Sequence, residues 1–299
     1  MIRLGAVCVG ATDDGGFNEA GRRGAERAAA RHGLALALVD RIAPDAAAIE
    51  AAARALAPDC DLLLLHSGDT DGPGVRIAAE VPRLRVLVSG GDVAGPNLDS
   101  WGADQPQSAF LAGVAAGMLT RSGVVGHVSG IPIPPGLRGR DAFAAGLRHA
   151  NPAARLHSRF CGDQNDPVRA EGATEAAIAD GADLVFTMLN AGRRGAIAAC
   201  RRHGARQIGN VADWVAAMPE VFVASAVADV GHAVERWVAA MLAHPPPPGC
   251  LRRFGLEAPE VVRLALAPDA PDAVRAAVET AAAALRDGRL SLGAPSAVP

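Results

Sequence analysis

Apolar residues in this chain fall into short, nearly continuous runs. Between the runs lie longer Ala-rich stretches in which apolar positions recur every three or four residues. The runs predict strands at Leu4–Val9, Ala35–Val39, Leu62–His66, Arg85–Ser89, Val124–Ser129, Ala154–Phe160, Leu184–Met188, Gln207–Gly209, Val221–Ala226 and Val261–Leu266. The stretches predict helices at Asn18–His32, Ala43–Leu56, Val75–Glu80, Pro106–Thr120, Gly136–His149, Pro167–Ala179, Arg194–His203, Asp229–Ala243 and Asp272–Arg286. A strand that is apolar along its whole length is buried on both faces, and alternation with helices supplies the crossovers that parallel strands require. The pattern therefore predicts an α/β protein with parallel sheets covered on both sides. The alternation restarts at Gly123-Val124-Val125-Gly126, after a first series that runs to about Thr120, so two doubly wound lobes are expected. The run His244-Pro245-Pro246-Pro247-Pro248-Gly249 reads as an extended surface connection.

Composition removes several chemistries. All 29 basic residues among the 299 are arginine, and there is no tyrosine. Without lysine there is no Walker A loop and no Schiff-base nucleophile. A formal charge of -3 gives no general attraction to nucleic acid or to anionic membranes. The five cysteines are widely spaced and form no CxxC, so neither a disulfide framework nor a metal site is expected, and no cofactor is called for. No apolar run reaches the ~18–20 residues of a membrane span. The first residues read as a strand without a charged n-region and h-region, which suits a cytoplasmic protein or a mature exported domain supplied without its leader.

In open parallel sheets, ligands bind beyond the carboxyl ends of the strands. Four such loops stand out: Gly10 to Asn18, His66 to Asp69, Gly130 to Pro135 and Leu189 to Gly192. In the first, Phe17 sits at a helix mouth between Gly16 and Asn18, where its ring can face a planar ligand; alternatively Asp14 or Asn18 caps the helix and Phe17 packs on the lobe. Asp163 and Asp166 read as a carboxylate pair or, for Asp166, as the cap of the helix starting at Pro167, leaving Gln164 and Asn165 to face a cleft. Asp213-Trp214 suits an aromatic ligand with a donor nitrogen, or simple packing. Trp101 falls near the expected lobe boundary, and Trp237 is at core spacing in its helix. Catalytic templates are missing: there is no GxSxG and no HExxH, and His66, His127 and His157 each stand without a recognisable partner.

The segment Asp14-Gly15-Gly16-Phe17-Asn18 resembles the first ligand loop of the basic membrane protein family, also called PnrA-like, which comprises substrate-binding proteins of ABC transporters. The resemblance continues through Pro96-Asn97, Ala109-Phe110-Leu111-Ala112-Gly113, Gly123 to Val128, Asn151-Pro152, Asp166-Pro167, Gly181 to Val185, Ile208-Gly209 with Asp213, and Asp287 to Leu290. The run from Ile131 to Phe143 is similar to one in members that bind a purine base; that subgroup tends to carry Trp where this chain has Phe17. Nucleoside binders of the family carry an Asp in a longer first loop, where Asp13 is the substitute here; an Asp where this chain has Val211; and a Lys where it has Ala228.

The resemblance implies a type I periplasmic-binding fold with two α/β lobes, a hinge and a ligand clamped between them. Expected boundaries are 1–120 plus about 228–246 for lobe one, 121–227 plus about 250–290 for lobe two, and a tail at 291–299. It implies ligand contacts from Asp14, Phe17, Asn18, Ser67 and Trp101 in lobe one, and from Gln164, Asn165, Asn190, Gly192, Asp213 and Trp214 in lobe two. The function it implies is non-catalytic: a monomeric binding component for a purine base or related heterocycle or nucleoside, handing it to an ABC transporter permease if the protein is exported to the cell envelope. A cytoplasmic sensor or regulator of the same fold, and an enzyme acting on a small heterocycle, are the alternatives.

Overall fold

The computed structural model describes residues 2–292, so the expected tail lies outside it from residue 293. In chain order the elements of the first part are β1 (Arg3–Val9), α1 (Phe17–His32), β2 (Ala35–Ile42), α2 (Ala46–Leu56), β3 (Leu62–His66), α3 (Asp71–Glu80), β4 (Arg85–Ser89), β5 (Leu98–Ala103) and α4 (Gln105–Leu119). Then come β6 (Val124–Ser129), α5 (Pro134–Ala150), β7 (Arg155–Phe160), α6 (Pro167–Ala179), β8 (Leu184–Met188), α7 (Arg193–His203), β9 (Arg206–Val211), α8 (Trp214–Ala217) and β10 (Phe222–Ala228). The chain ends with α9 (Val230–Ala243), β11 (Leu251–Phe254), β12 (Val262–Leu266) and α10 (Asp272–Arg286).

Two compact units result. The first holds the chain up to Ala103 and Asp229–Phe254; the second holds Asp104–Ala228 and the chain from Gly255 onward. The sheet of the first unit has the order β11-β5-β4-β3-β1-β2, with every neighbouring pair parallel. The sheet of the second has the order β12-β10-β9-β8-β6-β7, parallel except for the antiparallel β10–β12 edge. The wholly apolar strands lie where their pattern requires. Every residue of β3 is buried, and Leu63 and Leu65 join Val7, Val86 and Ile77 in one core. Each such side chain contributes roughly 1.5–3 kcal/mol on burial.

Two strands differ from the sequence reading, and both were hidden by polar residues. In β5, Asp99 and Ser100 are fully buried. The Asp99 carboxylate accepts hydrogen bonds from Arg85 (2.7 Å), Trp237 (2.9 Å) and the Cys250 backbone (3.0 Å). A buried carboxylate with three donors is stable in a strand, yet no local pattern announces donors that lie far along the chain. β11 is an exposed edge strand whose Leu251-Arg252-Arg253 carries no apolar run. It completes the first unit, although the region from about 250 was expected in the second lobe.

The helix expected to close lobe one also falls elsewhere. Residues Ser108 to Gly117 of α4 are buried all round, as in a central helix with no wet face. It packs on α5, α10, β10 and β12, all in the second unit. Two glycines make the α4–α5 approach possible: a Cβ on Gly113 would lie 2.1 Å from the Phe143 carbonyl oxygen, and one on Gly146 would lie 2.0 Å from that of Phe110. Backbone contact this close binds α4 to the second unit.

Candidate functional site

In the first unit the informative loops follow β1 and β3. Asp14 is buried, and its Oδ1 accepts from the backbone N–H groups of Gly16 (2.9 Å) and Glu19 (3.1 Å), so it closes the turn that opens α1. Its Oδ2 is buried without a partner. Burial raises the Asp14 pKa, against the lowering effect of the backbone donors. Asn18 is also buried; its Nδ2 donates to the Ala11 carbonyl (3.1 Å), and its Oδ1 accepts from the Ser67 hydroxyl. Ser67 is held at φ 70°, a left-handed conformation that a non-glycine residue adopts at some cost, just beyond the end of β3. Together these contacts draw Asp14, Phe17, Asn18 and Ser67 into one corner.

Phe17 opens α1 and is half-buried. Its ring stacks on the imidazole of His66, with centroids 4.7 Å apart and planes at 26°. His66, the last residue of β3, is fully buried, and its Nε2 lies 2.9 Å from the Phe17 carbonyl oxygen. Desolvation lowers its pKa to about 4, so the ring is neutral and Nε2–H donates to that oxygen. Trp101 stands near the boundary between the two units, which falls after Ala103. It lies buried within β5, edge-on to Phe254 at 5.6 Å, with the Arg252 guanidinium 5.3 Å above its ring.

In the second unit the expected residues hold one another. The backbone carbonyl of Gln164 accepts from the N–H groups of Asn190 (3.0 Å) and Gly192 (3.1 Å), and its side-chain oxygen accepts from Gly130 N–H (3.1 Å). Three strand-end loops are thereby joined. The Asn165 side-chain oxygen accepts weakly from Ala191 N–H (3.4 Å). Asp166 caps α6, as the Pro at its first position suggests. Asp213 caps α8 through Ala216 N–H (3.1 Å) and pairs with Arg263 (3.1 Å).

Trp214 is engaged by packing. Its indole N–H donates to the Asn210 carbonyl (3.1 Å), the Arg193 guanidinium lies 4.4 Å over its ring, and Phe222 is 5.7 Å away. Gly209 makes room for it, since a Cβ there would come within 2.7 Å of the indole.

Three features of these ends were not legible in the sequence. The first is His66 beneath Phe17. The second is Arg193, whose buried guanidinium donates to Asn210 Oδ1 (2.8 Å) and to the Leu189 carbonyl. The third is Val211 at φ 67°, a strained conformation for a β-branched residue, at the end of β9. The only available signal was position, since each stands at or next to a strand end. Among the described residues no group of three His, Cys, Asp or Glu is placed to hold a metal ion.

The family model of the PnrA-like ABC transporter substrate-binding proteins matches residues 1–280. A purine-binding protein from Brucella abortus (strain 2308) is 22% identical over 159 residues, which are 53% of this chain and 45% of that protein. The match thus spans less than half the length of that curated relative. Among solved structures, an ABC transporter solute-binding protein from Conexibacter woesei DSM 14684 superposes with a TM-score of 0.79 at 26% identity, covering 98% of this chain and 99% of that one. A transcriptional activator of the comK gene from Bacillus halodurans superposes with a TM-score of 0.82 at 17% identity, covering 95% and 97%, and shares the fold. The two parallel-dominated α/β sheets are those of the periplasmic solute-binding fold expected from the strand–helix alternation and the resemblance.

Proposed function

Because the chain belongs to the PnrA-like family of ABC transporter substrate-binding proteins, we propose that it binds a planar heterocycle of purine-base size, with Phe17 as the stacking surface. The family consists of binding components of transporters, which catalyse no reaction. The observation that carries the ligand reading is the partly exposed Phe17 at the mouth of α1, its ring stacked on a neutral imidazole. A partly exposed aromatic ring can stack on a π-system, an interaction worth roughly 1–3 kcal/mol per base. Asp14 Oδ2, buried and without a partner in the same turn, is an acceptor for a ring N–H or an exocyclic amine. The likeness to a purine-binding protein supports the same class.

A base is favoured over its nucleoside because the ribose-holding positions of the family are apolar here: Val211 and Ala228 are both buried. Sugar hydroxyls left without buried partners cost about 1–3 kcal/mol each. A permease that accepts the ligand is the partner implied by the family.

The test is calorimetry on ligand-stripped protein with adenine, guanine, hypoxanthine, their nucleosides and glucose. A base is expected to bind, with its nucleoside weaker. If no planar heterocycle binds while glucose does, the reading is wrong.

A further inference from the structure

We propose that His66 is the residue that positions Phe17 as the ligand platform, acting through the ring stack and the Nε2–H bond to the Phe17 carbonyl. The inference rests on the stacking role proposed above for Phe17 and adds the residue that sets it.

His66 occupies the last place of β3, with Cys8 of β1 and Ser89 of β4 as its register partners; Ser89 is in turn the partner of Trp101. The imidazole is therefore one of a row of side chains across the carboxyl end of the sheet. It makes one hydrogen bond, to the Phe17 backbone (2.9 Å). Its Nδ1 is buried without a partner, and so is the Ser89 hydroxyl. A fully buried imidazole with an unpaired nitrogen costs stability that an apolar side chain would not. The core thus has no need of a histidine at this position, whereas Phe17 does: the donor fixes the backbone where α1 begins, and the ring fixes the plane of its side chain. One glycine shapes the stack. A Cβ on Gly21 would fall 2.3 Å from His66 Nε2. The imidazole is thus lodged under α1.

A structural residue and a positioning residue respond differently to removal. The experiment uses the full chain with 13C-labelled phenylalanine, the Phe17 ring signal being assigned by its loss in Phe17→Leu. Ring relaxation is expected to show an ordered Phe17 in the wild type and a mobile one in His66→Leu, while that variant melts no lower than the wild type. Adenine is the calorimetric probe, and its binding is expected to weaken about tenfold in His66→Leu. In a Phe17→Ala background the same change is expected to have no further effect, because the two residues act as one unit. If His66→Leu does not fold, His66→Gln, which keeps a donor and loses the ring, is read in its place. A Phe17 ring equally ordered in the folded variants overturns the positioning role, as do losses that simply multiply in the double variant. A wild type that fails to bind adenine and every other purine overturns the ligand reading, and the ring relaxation then decides the positioning role alone.

Discussion

The strand-end loops of the two units are built alike and finished differently. In the second unit the residues expected at the ligand are already engaged: Gln164 ties three loops, Asp213 serves a helix cap and Arg263, and Trp214 lies under Arg193. In the first unit Phe17 is partly exposed, and Asp14 Oδ2 is buried without a partner. A buried polar atom left unpaired is costly, so a site that tolerates one gains more from a ligand that pairs it. On the function proposed above, the contrast gives stiffness to one set of loops and recognition chemistry to the other.

The largest effect that would break this contrast is expected in the second unit. Trp214→Ala should destabilise the protein by about 3 kcal/mol, seen as a lower Tm, because it empties the space over Gly209 and beneath Arg193. Any weakening of adenine binding should be small by comparison. Trp214→Ala that abolishes binding at unchanged Tm would move the platform to the second unit.

Acid should affect both units. His66 is lowered from an ordinary 6.5 to about 4, and His127, buried in β6, from 6.5 to about 3. The unfolded chain takes up these protons near pH 6.5 and the native state only well below it. Stability is therefore full above about 6.5 and falls as the pH drops through the window toward 4 and below, by up to about 3 kcal/mol for His66 and about 5 kcal/mol for His127. Denaturant melts at pH 7 and pH 4.5 check this, and His66→Gln should remove the share of the first unit. Equal stability at the two pH values would contradict the neutral, buried state of both rings.

Phe17→Ala is expected to cost about 2 kcal/mol of binding, or roughly thirtyfold in Kd, with little change in Tm, since the ring is only half-buried. The smallest effect concerns the strained strand ends. Arg41 sits at φ 57° in β2, one residue before its end, and its pair with Asp13 is well exposed. Arg41→Gly should gain about 0.5 kcal/mol by relieving the left-handed strain. A loss would show that the ion pair outweighs the strain.

Much of this molecule was legible in the chain. Continuous apolar runs identify strands buried on both faces, and cap residues such as Asp166 and Asp229 mark helix starts, because period and capping are properties of neighbours in sequence. The first loop, with Phe17 between Gly16 and Asn18, was marked for the same reason. Tertiary structure decided the rest. It buried β5 around Asp99, whose donors come from Arg85, Trp237 and Cys250. It gave α4 to the second unit through Gly113 and Gly146. It placed His66, 49 residues away in sequence, beneath Phe17. A polar side chain can be buried only where its partners converge, and convergence across such separations is a property of the folded chain that no local pattern records.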